Sequence, residues 1–298
     1  KRLRFHRRFV RAPKSQIWSI GIYTGSTPLS LHPEPRIRNP VLIGPSITDV
    51  SAAYIADPFM TRIAGSWYMF FEVLNRKSGR GEIGLATSVD MKNWTYKHIV
   101  LREPFHLSYP YVFEWENNHY IIPESFGARS VRLYRAAAFP SSWEFVGEPL
   151  TGDDFQDNSI FRFGDRWWLY SEVAPAPYYA GTLKLFFSDR LRGPWREHPQ
   201  SPVVRDDCHN SRPAGRVLVH NRRIVRFAQS CSPVYGTDVR AFEVEELTES
   251  TYRERALGPS PVLNGSGRGW NESGMHHLDL QASDEGWVAC VDGWRWSY

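Results

Sequence analysis

Cysteine is scarce in this chain of 298 residues: there are three, Cys208, Cys231 and Cys290. An odd count at wide spacing builds no disulfide framework and no zinc site, although one pair such as Cys208 with Cys231 stays open. No apolar run approaches the roughly 18 residues of a membrane span, so a transmembrane segment is excluded and a soluble protein expected. No secretory leader is visible. The compartment is left open between cytoplasmic and, if an upstream signal has been removed, secreted. Clean helical periodicity is scarce too, and the 21 prolines and 22 glycines fall mostly at turns.

Charge excludes less. The net charge is +4, and part of it sits in Lys1-Arg2-Leu3-Arg4-Phe5-His6-Arg7-Arg8. Residues 1–15 read as a basic leader or linker, with a single domain over 16–298. Without the leader the chain is near neutral, which argues against a nucleic-acid partner.

Aromatics are abundant: 12 Trp, 14 Tyr and 17 Phe. They favour strands, and Trp and Tyr also make surfaces on which sugar rings stack. They recur in a repeat. A short lead-in motif passes into a strand, a polar turn, an aromatic strand ending in a polar residue, a further strand, and a closing segment, in three copies containing Trp. The first copy includes Ala56-Asp57-Pro58-Phe59 and Ser66-Trp67-Tyr68-Met69-Phe70-Phe71-Glu72. The second includes Ser108-Tyr109-Pro110-Tyr111 and His119-Tyr120-Ile121-Ile122-Pro123-Glu124. The third has Gln156-Asp157-Asn158-Ser159 and Arg166-Trp167-Trp168-Leu169-Tyr170-Ser171-Glu172. A divergent fourth has Ser211-Arg212-Pro213 and Arg223-Ile224-Val225-Arg226-Phe227-Ala228-Gln229, and a short fifth begins near Gly274-Met275-His276-His277.

Glu72 and Glu124 are 52 residues apart, and Glu124 and Glu172 are 48 apart. Four short strands need roughly 40–50 residues, the size of one propeller blade. The prediction is an all-β, five-bladed β-propeller. Its ring is closed by strands from both termini, with Gln16–Tyr23 supplying the strand missing from the fifth copy. A β-sandwich would not explain the repeat.

In such a ring the lead-in motifs meet at the axis. They would bring together Asp57, Tyr109, Asp157, Arg212 and His276 or His277, with Glu72, Glu124, Glu172 and Gln229 from the second strands. His209 and Arg216 are further candidates to balance the carboxylates, and Trp67 is a candidate sugar platform. Paired carboxyl groups suit glycoside cleavage, one protonating the leaving oxygen while the other attacks or activates water. The same residues also serve ordinary turns and sheet ends. His209, His276 and His277 lack a third ligand at a recognised spacing, so neither metal nor cofactor is expected.

Long stretches resemble a known family. Trp18–Tyr23, Ala56–Phe59, Gly81–Gly84, His106–Phe113, Asp157–Ile160, Ser211–Arg216 and Tyr235-Gly236 look like the N-terminal domain of the glucosamine inositolphosphorylceramide transferases. That domain is in turn similar to the propellers of glycoside hydrolase family 43. The latter resemblance implies an Asp base at Asp57, a pKa-tuning Asp at Asp157 and a fifth-blade His at His276 or His277. The family's fourth-blade Glu acid is replaced here by Arg212. The acid would then be Glu124 or Glu172, or hydrolysis is lost and Arg212 with Arg216 holds an anionic group. Two functions follow. One is a glycoside hydrolase or transglycosylase acting on a complex glycan, with acidic and furanosidic glycans as candidates. The other is a non-catalytic glycan-binding module serving a glycosyltransferase domain or partner.

Overall fold

The computed structural model describes residues 15–173, 181–283 and 285–297. The basic stretch at residues 1–8 lies outside them. Five antiparallel sheets stand around one axis, so the structure is the expected five-bladed propeller. The first blade is Ala52–Ile63, Ser66–Asn75, Arg80–Ser88 and Thr95–Leu101, in that order from axis to rim. The second starts at the axis with Ser108–Trp115, the third with Phe155–Phe163, and the fourth with Arg212–Pro213 and Leu218–His220.

The fifth blade closes the ring. Leu278–Ser283 is innermost, Gly286–Trp296 is next, and the N-terminal strand Gln16–Thr27 lies outside it. The two long strands pair without interruption from Gln16↔Trp296 to Gly25↔Trp287. Both ends of the chain therefore build one sheet, which removes the open edge an unclosed ring would leave.

The aromatic second strands read as near-continuous apolar runs because they are covered on both faces. Trp67, Met69, Phe70, Phe71 and Val73 are all buried, as are Trp167 to Tyr170. Neighbouring blades pack face to face, so the core lies between blades. One cluster joins the first three blades through Phe59, Tyr109, Ile122 and Trp167. Another joins the fifth to the first through Ile20, Ile22, Phe71 and Trp67. This leaves the axis for polar side chains.

Two-residue turns link the first two strands in three blades: Ala64-Gly65, Glu116-Asn117 and Asn221-Arg222, all at positive φ. That is the primed geometry whose twist suits hairpins. The three thiols are free; the Cys231 N–H donates to the Cys208 carbonyl at 2.8 Å. Among the described residues no helix is long and apolar enough to cross a membrane.

Candidate functional site

A bulge repeated in three blades shapes the channel mouth. Ala56 pairs with Glu72 and Phe59 with Phe70, so the inner strand carries one extra residue. The second blade repeats this with Ser108↔Glu124 and Tyr111↔Ile122, and the third with Gln156↔Glu172 and Ser159↔Tyr170. At each bulge one residue takes the left-handed conformation: Asp57 (φ 53°), Tyr109 (φ 46°) and Asp157 (φ 48°). Non-glycine residues rarely adopt it, at a cost of order 1–3 kcal/mol each. Bulges of this kind re-aim side chains.

The register also defines a ring of second-strand polar residues: Glu72, Glu124, Glu172 and Gln229, the last opposite Arg212. Arg212 thus stands level with Ala56, Ser108 and Gln156, one place before the bulged residue. The fifth member is Asp292, beyond the Leu278↔Val291 pair, and it was not among the residues expected from the repeat. A signal for it exists. Trp67 precedes Glu72 by five positions, Trp167 precedes Glu172 by five, and Trp287 precedes Asp292 by five.

A cavity of about 200 Å³ opens at this mouth. Asp57, Glu72, Glu124, Asp157, Arg212 and His276 line it, with Trp18, Tyr54, Ala56, His106, Ser108 and Tyr235. On one side His276 Nδ1 is 2.8 Å from Asp292 Oδ1, and the Asp57 N–H donates to Asp292 Oδ2 at 2.9 Å. Burial alone would lower the His276 pKa, but the charge and hydrogen bond of Asp292, helped by Asp57, raise it. Burial likewise opposes ionised Asp292, yet His276 holds it below the usual carboxylate range. The two form a buried ion pair beneath Asp57. Trp18 lies over His276 with ring centroids 4.1 Å apart.

On the other side Arg212 serves three acids. Its Nε donates to Asp157 Oδ2 at 2.6 Å, and it stands 3.5 Å from both Glu124 Oε2 and Glu172 Oε2. It also donates to Gln156 Oε1 at 2.6 Å, and Gln229 Nε2 donates to Asp157 Oδ2 at 3.1 Å. One guanidinium cannot neutralise three carboxylates. Burial raises the pKa of all three against the pull of Arg212, so protons supply the remaining balance.

Asp57 and Glu72 lie outside that clamp. Burial pushes the Asp57 carboxyl up to about 7, against the attraction of His276. Glu72 is raised well above the usual range, by burial first and then by the charges of Asp57 and Glu124. Its Oε1 is 3.3 Å from His106 Nε2 yet lacks a hydrogen-bond partner among the described residues. Burial lowers His106 to about 4, and its Nδ1 accepts the Gly81 N–H at 2.9 Å, so the neutral ring carries its proton on Nε2.

Not every expected residue reaches the cavity. Tyr109 lies deeper on the axis, its hydroxyl 2.8 Å from Ser159 Oγ and accepting the Gly215 N–H at 2.5 Å. His277 is also deeper, its Nε2 3.0 Å from the Pro58 carbonyl. Glu172 and Gln229 support Arg212 and Asp157 from behind. His209 contacts Ser230 Oγ at 2.8 Å and does not line the cavity. Arg216 pairs with Asp279 at 2.7 Å and borders a separate hollow, so it does not converge with Arg212 on one anion. Trp67 is 4% exposed in the core between first and fifth blades, so it offers no ring to a sugar.

Asp57, His276 and Asp292 offer ligand atoms within 4.8 Å of one another, the arrangement a cation would need. A proton on His276 offsets the charge of Asp292 and leaves that of Asp57.

Fold and site together define a five-bladed β-propeller with an acid-rich axial cavity. The chain belongs to the family described as glucosamine inositolphosphorylceramide transferase 1, N-terminal, which it matches over residues 11–294. It is 34% identical to glucosamine inositolphosphorylceramide transferase 1 of Oryza sativa subsp. japonica and 30% identical to that of Arabidopsis thaliana. Each alignment covers 93% of this chain but only 40% and 39% of those relatives. Among solved structures it is similar in fold to a family 117 glycoside hydrolase of Zobellia galactanivorans. The TM-score is 0.56 and identity 14%, over 93% of this chain and 90% of that one. An exo-1,5-α-L-arabinanase from a bovine ruminal metagenomic library gives 0.57 and 17%, over 82% and 89%.

Proposed function

We propose that the axial cavity receives a glycan's sugar and carries glycosidase-type acid–base chemistry, hydrolytic or transglycosylating, with Asp57 and Glu72 as the working pair. The observation carrying this reading is that two carboxyl groups line one small cavity outside the Arg212 clamp, in different surroundings. Environments that separate two such groups assign acid and base. Glu72, kept protonated by burial and its neighbours, gives its proton to the leaving glycosidic oxygen as the C1–O bond breaks. Asp57, anionic above about pH 7, either bonds to C1 itself or takes a proton from a water whose oxygen bonds to C1, with the His276–Asp292 pair fixing its position. The acid role expected for Glu124 or Glu172 passes to Glu72, because both of the former are held as counterions of Arg212. Asp157 stays a tuning group, as the resemblance implies.

A second reading has a specific support. Arg212 occupies so much of the site's acidity that the cavity suits holding a sugar without cleaving it. The curated relatives are named as transferases and are more than twice as long as this chain, so the propeller would present a glycan or glycolipid headgroup to a transferase domain.

The deciding experiment incubates the chain with plant and bacterial surface glycans and follows released sugar by mass spectrometry, with Asp57→Asn and Glu72→Gln in parallel. General acid–base groups contribute about 10²–10⁴-fold, so either variant is expected to lose at least a hundredfold. Full turnover in Asp57→Asn refutes the catalytic assignment. Saturable binding without product in the wild type selects the second reading.

A further inference from the structure

Beside the axial cavity lies a much larger groove of about 1230 Å³, between the fifth blade and the first. The two spaces share three lining residues, Trp18, Tyr54 and Tyr235, so they form one continuous surface. The cavity, at about 200 Å³, is below the roughly 300–1,000 Å³ of pockets for drug-sized ligands. That space is of the size of one small sugar residue. Its floor is closed by the Asp57, Asp157 and Arg212 network and by Tyr109 on the axis, so a chain cannot thread through.

The groove is built for aromatic contact. Trp270, half-buried, packs over two glycines in the middle of the closing strands. A Cβ at Gly21 would lie 2.7 Å from Trp270 Cζ2, and one at Gly293 would lie 3.0 Å from Cζ3. Glycine inside a strand weakens it and marks a close approach. Here the approach seats an indole. Trp18 is packed as closely, a Cβ at Gly236 lying 2.4 Å from its Cη2, but it is buried and forms the wall between cavity and groove. Ile43, 39% exposed, stands on the same groove.

We infer that this groove is an oligosaccharide-binding extension of the axial site. A glycan of several residues enters by its end, places its terminal sugar in the cavity and lays the following sugars along the half-buried Tyr235 and Trp270. This deepens the cavity reading and rests on it: the ligand class is a chain terminus, neither a free monosaccharide nor the middle of a polymer. Indole faces offer broad apolar area at low conformational cost, which suits successive sugar rings.

The test is calorimetric titration with xylo-, arabino-, galacto- and galacturono-oligosaccharides of one to six residues. It uses the wild type, Trp270→Ala and Ile43→Trp, the last filling the groove from an exposed position where folding is tolerant. The expected result is that at least one series tightens tenfold or more between one and four residues. Both variants bring the tetramer's affinity back towards that of the monosaccharide. If affinity is flat with length, or if the gain survives both variants, the groove inference is overturned while the cavity reading stands. If no series binds at any length, the cavity reading falls and the inference falls with it.

Discussion

Replacing Arg212 with methionine would remove the guanidinium that holds Asp157 at 2.6 Å and Glu124 and Glu172 at 3.5 Å. Methionine fills similar space without charge. Breaking a buried pair by removing one partner costs about 3–5 kcal/mol, because the remaining charge is left uncompensated. At roughly 2–4 °C per kcal/mol for a domain approaching this size, Tm at pH 8 should fall by about 6–20 °C. The loss should depend on pH, and its sign follows from proton binding. In the native state these three acids already sit above their ordinary pKa, and losing Arg212 raises them further. Over the interval between the unfolded and native pKa values the native state holds more protons than the unfolded one. Stability therefore falls as pH rises through it. At pH 5 the acids take up protons in place of the lost cation, and most of the penalty disappears. Calorimetric melts of wild type and Arg212→Met at pH 5 and pH 8 measure the difference. A loss equal at both pH values would refute the clamp, as would a loss below about 1 kcal/mol at pH 8.

Asp57, raised from 3.8 to about 7, makes the folded protein lose stability as pH rises across that window; Asp57→Asn should flatten the slope in urea titrations between pH 4 and 8, and an unchanged slope contradicts the assignment. Asp292→Asn removes the anion beside His276, so burial should win and the imidazole titrate at lower pH, observable by NMR of the ring protons. Trp67→Ala should cost about 3–5 kcal/mol, as core aromatic truncations do, while leaving glycan affinity of the folded fraction unaltered. Deleting residues 1–29 removes the strand that pairs from Gln16 to Gly25 with the C-terminal strand, and the chain should lose its cooperative melt.

Much of this architecture is local and therefore legible in the chain. Apart from the fifth, a blade is a contiguous unit of about 50 residues, and its second strand is covered on both faces. An apolar run ending in Glu72, Glu124 or Glu172 thus repeats at a fixed interval and predicts the ring. The same repeat carries Asp292, through a Trp-to-acid spacing of five that the residue order alone displays. The closure by Gln16–Thr27 was legible for the same reason, since the fifth copy is short by the strands that the N-terminus supplies.

What only the tertiary structure decided is where side chains point once five blades share an axis. Trp18 and Trp67 are both strand tryptophans with similar neighbours, yet one stacks on His276 at the cavity and the other fills the core between blades. Arg212 and Arg216 are four residues apart in sequence, yet one reaches the cavity and the other pairs with Asp279. Three acids that look like alternative catalysts become counterions because one guanidinium reaches them from another blade. Glu72 stays outside that set because, among the described residues, no arginine pairs with it. These contacts join residues from 40 to more than 200 positions apart, and their energies depend on distances of a few ångströms and on exclusion of water. No local pattern of residue types encodes such quantities; they appear only when the ring closes.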